Sequence, residues 1–357
     1  MKHTDDKLQE TMRRGTPMRP LSTLAAGAAA MFVLTGCTGT SAGDDHKVGL
    51  AGETVQLIVP FAPGGGYDSY ARMLAPKLAK ELHATVIVVN KPGAGGVLAT
   101  NELSKAEPDG TTLALFNMPG HIGSALAGAP GVQYDVNSFS YIGRLSSEPD
   151  VVLTSSKGKY DTWKDVMQEK GPDPTRFAAT GPGSNEYMDG VVLHSLLDLK
   201  SKVITGYSTS NEAYLGVLSG VVDLHSRSYG SQESALKSKD AVPLLTVGSS
   251  DGLDLLADTP VLADVVPPQK EALARAHTEL VESGRAIAGP PGMEPEQLEL
   301  IRKAFEKVVT DPEYAAAAKE ARRPISFASG QDVAENVKEL MHSPKAYVDL
   351  LEKAYGK

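Results

Sequence analysis

The amino-acid sequence predicts an α/β protein of two globular units with a ligand crevice at the carboxyl ends of its strands. Three observations predict it. A β-branched apolar run at 55–61 leads through Gly64, Gly65 and Gly66 into a helical pattern from Asp68. The same order repeats in Val86 to Asn90, the glycine-rich Gly93-Ala94-Gly95-Gly96, and a helix-compatible stretch from Leu98. Strand-like and helix-like segments then alternate along a chain of 357 residues, a length that suits two cores better than one. In an open α/β sheet the loops after the strands form the crevice, and the helix starts expose N–H groups that suit an anion.

The first helical pattern, 68–82, is amphipathic. Leu74, Leu78 and Leu82 recur every fourth position and face the sheet, while Lys77, Lys80 and Glu81 face water. Strands at 85–89, 112–116 and 141–145 and a helix at 96–106 follow, and this alternation implies parallel strands. The segment 117–135 holds Pro119, Gly120, Gly123, Gly128, Pro130 and Gly131 and reads as a loop forming one wall of the crevice. A crossover falls near 148–154. The second unit runs through strands at 151–154, 177–179, 203–205, 222–225 and 242–247, with helices at 162–168, 186–197, 212–219 and 231–237. The chain returns through a strand and turn at 286–292 and helices at 295–310, 312–321, 332–342 and 344–355. The expected domains are therefore 53–148 with 248–357, a discontinuous first domain, and 149–247.

Ahead of these lies a different composition. Lys2, Lys7, Arg13, Arg14 and Arg19 precede an apolar run, 21–34, too short to span a bilayer comfortably, so 1–36 reads as a secretory signal. The run ends in Leu34-Thr35-Gly36-Cys37, which resembles a bacterial lipoprotein signal with Cys37 as the lipidated first residue. As the sole cysteine, Cys37 has no partner for an intramolecular disulfide. Met1, Met12 and Met18 are all open as starts, and 37–52 reads as a flexible tether. The expected location is the extracytoplasmic face of the cell membrane, held by the lipid.

Removing 1–36 takes away five positive and three negative charges, moving the net charge from −9 to −11. An acidic chain with no basic stripe argues against nucleic acid. The eight histidines are scattered without ligand spacing, so no metal is expected, and no nucleophile elbow or P-loop is present. Gly93 to Gly96 partly mimics a dinucleotide fingerprint but has Leu98 where that motif needs glycine or alanine. No cofactor and no enzymatic activity are expected.

The two glycine loops carry a more specific likeness. Pro60-Phe61-Ala62-Pro63-Gly64-Gly65-Gly66-Tyr67-Asp68-Ser69-Tyr70-Ala71-Arg72 and Asn90-Lys91-Pro92-Gly93-Ala94-Gly95-Gly96, with Pro108 to Leu113 after them, resemble the signatures of tripartite tricarboxylate transporter receptors, the Bug family. The resemblance runs from about residue 55 to the C-terminus. It implies a two-domain periplasmic-binding-protein-like fold of type II with the ligand cleft between the domains. It also implies a monomer that captures a di- or tricarboxylate and hands it to membrane permease subunits. A sensory partner not coupled to transport is the alternative. The ligand set it implies is Pro63, Gly64, Gly65, Gly66, Tyr67, Asp68, Ser69, Gly93, Ala94, Gly95, Gly96 and Asn117, with Thr180, Gly183, Ser184 and Asn185 from a third loop. In that third loop Pro182 removes one donor, and Glu186-Tyr187 stand where the family's histidine lies.

From the residues themselves, three successive glycines exceed what a tight turn needs, and backbone amides are expected to hold the anion. Asp68 is expected to cap the helix start, to orient the first loop and to pair with Arg72, four residues on. Gly65 and Gly95 are expected to require glycine, through close approach or positive φ. Lys91 is expected to be dispensable, because neither glycine loop places a lysine or arginine at the anion.

Overall fold

The computed structural model describes residues 49–356. The expected leader 1–36, Cys37, and all of the tether except 49–52 lie outside the described residues. Within them are eleven strands: β1 Thr54–Val59, β2 Thr85–Asn90, β3 Thr112–Asn117, β4 Ser140–Ser146, β5 Asp150–Ser155, β6 Thr175–Ala178, β7 Ser201–Ile204, β8 Leu224–Ser228, β9 Ala241–Val247, β10 Arg285–Gly289 and β11 Ala328–Ser329. They form two sheets, in the orders β11-β4-β10-β3-β1-β2 and β7-β6-β8-β5-β9. The chain changes sheet at Ser147 to Pro149 and again between β9 and β10.

The sheets are mixed, which corrects the expectation of parallel strands. β1 pairs in parallel with β2 and β3, but β10 enters antiparallel between β3 and β4. In the second sheet β6 is parallel to β7 and β8, whereas β5 runs antiparallel to both β8 and β9. The two strands that follow the crossings therefore run against their neighbours. Their first residues, Asp150 and Arg285, lie beside the last residues of strands that point the other way: Asp150 opposite Ser228, and Arg285 opposite Asn117.

The helix Gly66–Leu82 packs on the first sheet through Leu74, Leu78 and Leu82, all buried as its period predicts. The core of the second sheet centres on Phe177, Val192, Leu193, Leu224 and Leu245. Two of the longer helices differ from expectation. Met118–Leu126 is helical where a loop was expected, with Pro119 in its first turn, where the missing N–H is not needed. Gly120 serves packing there, since a Cβ on it would lie 2.1 Å from the carbonyl oxygen of Gly183. The helix Glu271–Glu282 was not anticipated; it is held by His277, whose ring meets Asp189 Oδ1 at 3.0 Å and the Tyr347 hydroxyl at 2.9 Å. Among the described residues no helix is long and apolar enough to cross a membrane.

Candidate functional site

Loops from the two sheets meet around a cavity of about 40 Å³. The first sheet contributes Phe61, Gly66, Tyr67, Asn117 and Arg285; the second contributes Ser184, Asn185, Glu186, Ser210, Arg227, Ser228 and Ser231.

The first glycine loop is fixed from behind. Asp68 accepts the Gly64 N–H at 2.9 Å, pairs with Arg72 at 2.9 Å and accepts Asn90 Nδ2 at 3.0 Å, while Asn90 also donates to the Phe61 carbonyl at 3.0 Å. Burial alone would raise the Asp68 carboxyl, but the bonds from Arg72, Gly64 and Asn90 outweigh it and hold the pKa below the usual range. Asp68 is thus an anchor within the first helical turn and not the cap expected of it, a place held by Gly65, and Arg72 does not line the cavity. Gly66 and Tyr67 head the helix Gly66–Leu82, at positions whose N–H groups have no intrahelical partner. Tyr67 donates to Asn117 Oδ1 at 2.7 Å and lies against Phe61, with ring centroids 4.7 Å apart.

Of the sixteen expected ligand residues, Gly66, Tyr67, Asn117, Ser184 and Asn185 line the cavity. Pro63, Gly64, Gly65, Asp68 and Ser69 shape the first loop without reaching it. Ala94 and Gly95 sit against the third loop instead, while Gly93 lies against Leu98 and Gly96 against His121 and Pro60. The Gly183 N–H donates to the Ala94 carbonyl at 3.1 Å, and Gly95, at φ +67°, lies where a Cβ would come within 2.5 Å of the Gly183 and Ser184 nitrogens. Gly65 contrasts with it. Its φ is −85°, and the nearest atom to an added Cβ is 3.9 Å away, so the expectation that Gly65 needs glycine is corrected.

In the third loop Ser184 caps the helix Asn185–Leu196 and donates to the Gly181 carbonyl at 2.8 Å. Asn117 Nδ2 donates to the Gly183 carbonyl at 3.0 Å, tying the third loop to the first sheet. Asn185 Nδ2 donates to Asp150 Oδ2 at 2.9 Å. Thr180 donates to Glu186 Oε2 at 3.0 Å, and Ser210 donates to the other Glu186 oxygen.

Two arginines reach the cavity, which corrects the expectation that amides alone supply its positive character. Arg285, the first residue of β10, donates to Ser146 Oγ and Glu148 Oε2, each at 2.9 Å, and to Ser228. Burial opposes its charge, but Tyr67, Glu148 and Tyr70 more than offset that and keep the guanidinium charged. Its guanidinium also lies 4.9 Å from the Tyr67 ring centre. Glu148, in turn, accepts the Gly230 N–H at 2.7 Å, so this buried pair joins both sheets at the crossing. Arg227 is less committed. Its Nη1 donates to Asn211 Oδ1 at 2.9 Å, and Asn211 donates to the Gly64 carbonyl at 3.1 Å. Burial draws the Arg227 pKa down to about 10, which leaves it charged at neutral pH. Asp150 is the reverse case: burial, then the nearby Asp189, push its carboxyl well above the usual range, and Oδ1 has no partner. Among the described residues no cluster of three or more His, Cys, Asp or Glu side chains is placed to hold a metal.

Residues 70–351 match the family model described as "Tripartite tricarboxylate transporter family receptor". The chain belongs to that family. This tripartite tricarboxylate transporter family receptor is 27% identical over 255 residues to Protein BugT of Bordetella pertussis, across 70% of this chain and 74% of BugT. Its fold is that of MatC from Rhodopseudomonas palustris, solved with bound malate, at TM-score 0.71 and 22% identity over 84% of this chain and 99% of MatC. A second R. palustris protein, solved with adipate, aligns at TM-score 0.69 and 18% identity over 85% of this chain and 97% of that one. The receptor therefore has the two-sheet periplasmic-binding-protein fold, and its family is one of solute receptors and not of enzymes.

Sequence reasoning missed Phe61, Ser210, Arg227, Ser228, Ser231 and Arg285 in this receptor's cavity, and raised Glu186 without placing it. One signal was available for Arg285, a charged residue just before the apolar Ala286-Ile287-Ala288. A charge in that position needs a partner or a ligand. Arg227 lies in the polar strand Leu224–Ser228, after His225 and Ser226, and carried no such signal.

Proposed function

We propose that this receptor captures a small carboxylate between two domains, 53–148 with 248–357 and 149–247, and delivers it to a tripartite tricarboxylate-type permease at the membrane. The observation that carries this reading is the partly buried Arg227 lining the same cavity as Gly66 and Tyr67, the first residues of the helix Gly66–Leu82. A guanidinium and a helix start are both suited to a carboxylate. Because the mature chain is strongly acidic, an anion must be captured by such local groups and not by the overall field. Malate and adipate in the neighbours support the ligand class, and family membership supports the permease partner. Two sheets that share no strand support the domain division. Lipidation at Cys37 would hold the receptor at the extracytoplasmic face.

A thermal-shift screen of mono-, di- and tricarboxylates tests the ligand class. A ligand at about 100 times its dissociation constant adds about 2.7 kcal/mol to the native state, a rise of several degrees in a protein of this size. A panel in which no carboxylate shifts the melting temperature while a neutral sugar or a cation does refutes the proposal.

A further inference from the structure

Apart from Arg285, which is paired with Glu148, the cavity carries one charge of each sign, and the two are not partners. Glu186 is 4% exposed and accepts from the hydroxyls of Thr180 and Ser210. Among the described residues no lysine, arginine or histidine nitrogen lies within 4.0 Å of its carboxylate. A carboxylate has about four lone-pair sites, so two hydroxyls leave roughly half its accepting capacity open. Arg227 has five donors, of which Nη1 is engaged by Asn211. The other charged groups nearby offset one another or are held neutral. Arg285 is paired with Glu148 at 2.9 Å, and burial favours the protonated form of Asp150. What faces the ligand is therefore a cation and an anion at one small site.

We propose that the natural ligand carries a protonated nitrogen as well as its carboxylate, the carboxylate held by Arg227 and the ammonium by Glu186. The inference rests on the carboxylate reading above and narrows it to a short amino carboxylate. A buried charge is stable only when paired, so a ligand of matching polarity completes both groups at once. A dicarboxylate would satisfy Arg227 while setting its second carboxylate against Glu186, a like-charge contact that selects against it. The small volume of the cavity favours a short chain.

The test is calorimetric titration of the full receptor with two matched pairs, β-alanine against succinate and 4-aminobutyrate against glutarate, with butyrate lacking the nitrogen. The amino carboxylate should bind at least tenfold more tightly than its dicarboxylate counterpart and than butyrate. Glu186→Gln should weaken amino carboxylates at least tenfold and leave dicarboxylates unchanged or improved. A merely structural role for Glu186 would weaken both classes alike, and that result overturns the inference. So does a wild-type preference for dicarboxylates, which would leave the carboxylate reading standing. If none of the five binds and no carboxylate shifts the melting temperature, both readings fall. The ligand series on the wild-type protein needs no variant, so a Glu186→Gln protein that fails to fold leaves the test intact.

Discussion

Replacing Gly95 with alanine should weaken ligand binding at least tenfold, whereas the same change at Gly65 should not. At Gly95 the added Cβ would stand 2.5 Å from the Gly183 and Ser184 nitrogens and 2.7 Å from the Gly181 oxygen, where ordinary contact begins at 3.4 Å. The two loops must then separate by roughly 0.9 Å, the shortfall between those distances. That opening takes the Gly183 N–H to Ala94 bond from 3.1 Å to about 4 Å, beyond hydrogen-bonding range. Losing the bond costs about 0.5–1.5 kcal/mol, and the lost loop packing brings the total to about 1.5–2.5 kcal/mol, or roughly 10- to 70-fold in affinity. The positive φ adds about 1 kcal/mol of strain whether or not the loops are together, so it lowers stability without entering the affinity. Gly65→Ala meets nothing closer than 3.9 Å at an ordinary φ, and its affinity should stay within about threefold of wild type. Calorimetric titration with the best carboxylate from the screen reads the affinities, and small-angle scattering with and without ligand reads closure. A Gly95→Ala receptor that binds like wild type, or a Gly65→Ala receptor that loses as much, refutes the reasoning.

Lys91→Ala should change affinity by less than about threefold, since Lys91 pairs with the exposed Glu102 and does not line the cavity; titration of the variant decides it. Glu148→Gln leaves Arg285 buried without its counter-ion and should cost about 3–5 kcal/mol, seen as a melting temperature lower by several degrees; an unchanged melting curve argues against the pair as the cross-sheet tie. The Asp150 pKa is raised on folding, so the stability this group contributes is complete below its ordinary value of 3.8 and is lost as pH rises through the folded value. Asp150→Asn, which cannot ionise, should therefore be more stable than wild type at about pH 8 and converge with it near pH 4, and equal stability at both values would count against a buried, raised carboxyl. Cys37→Ser should move the receptor from the membrane to the soluble fraction, with acylation at Cys37 visible by mass spectrometry only in the wild type; a wild-type receptor already soluble and unmodified rules out the anchor.

Features that neighbouring residues decide among themselves were legible before folding. The apolar run into Gly64 to Gly66, the four-residue spacing of Leu74, Leu78 and Leu82, and the Asp68 and Arg72 pair one turn apart are local patterns, and each took the form its chemistry implies. The two glycine signatures likewise identified the family, because those loops are contiguous in the chain. Helix Met118–Leu126 escaped because its glycines looked like turn residues, while Gly120 is there to admit the Gly183 carbonyl from 63 positions away. The charges of the cavity came from long-range packing. Arg285 stands beside Asn117 because β10 inserts antiparallel between β3 and β4; Glu186 meets Ser210 because β6 and β7 are neighbours, and shares a cavity with Arg227 because β6 and β8 are. Periodicity records which face of an element is apolar, but strand order and direction arise from packing between distant segments. A site assembled from the ends of six strands therefore becomes legible only when those ends are brought together.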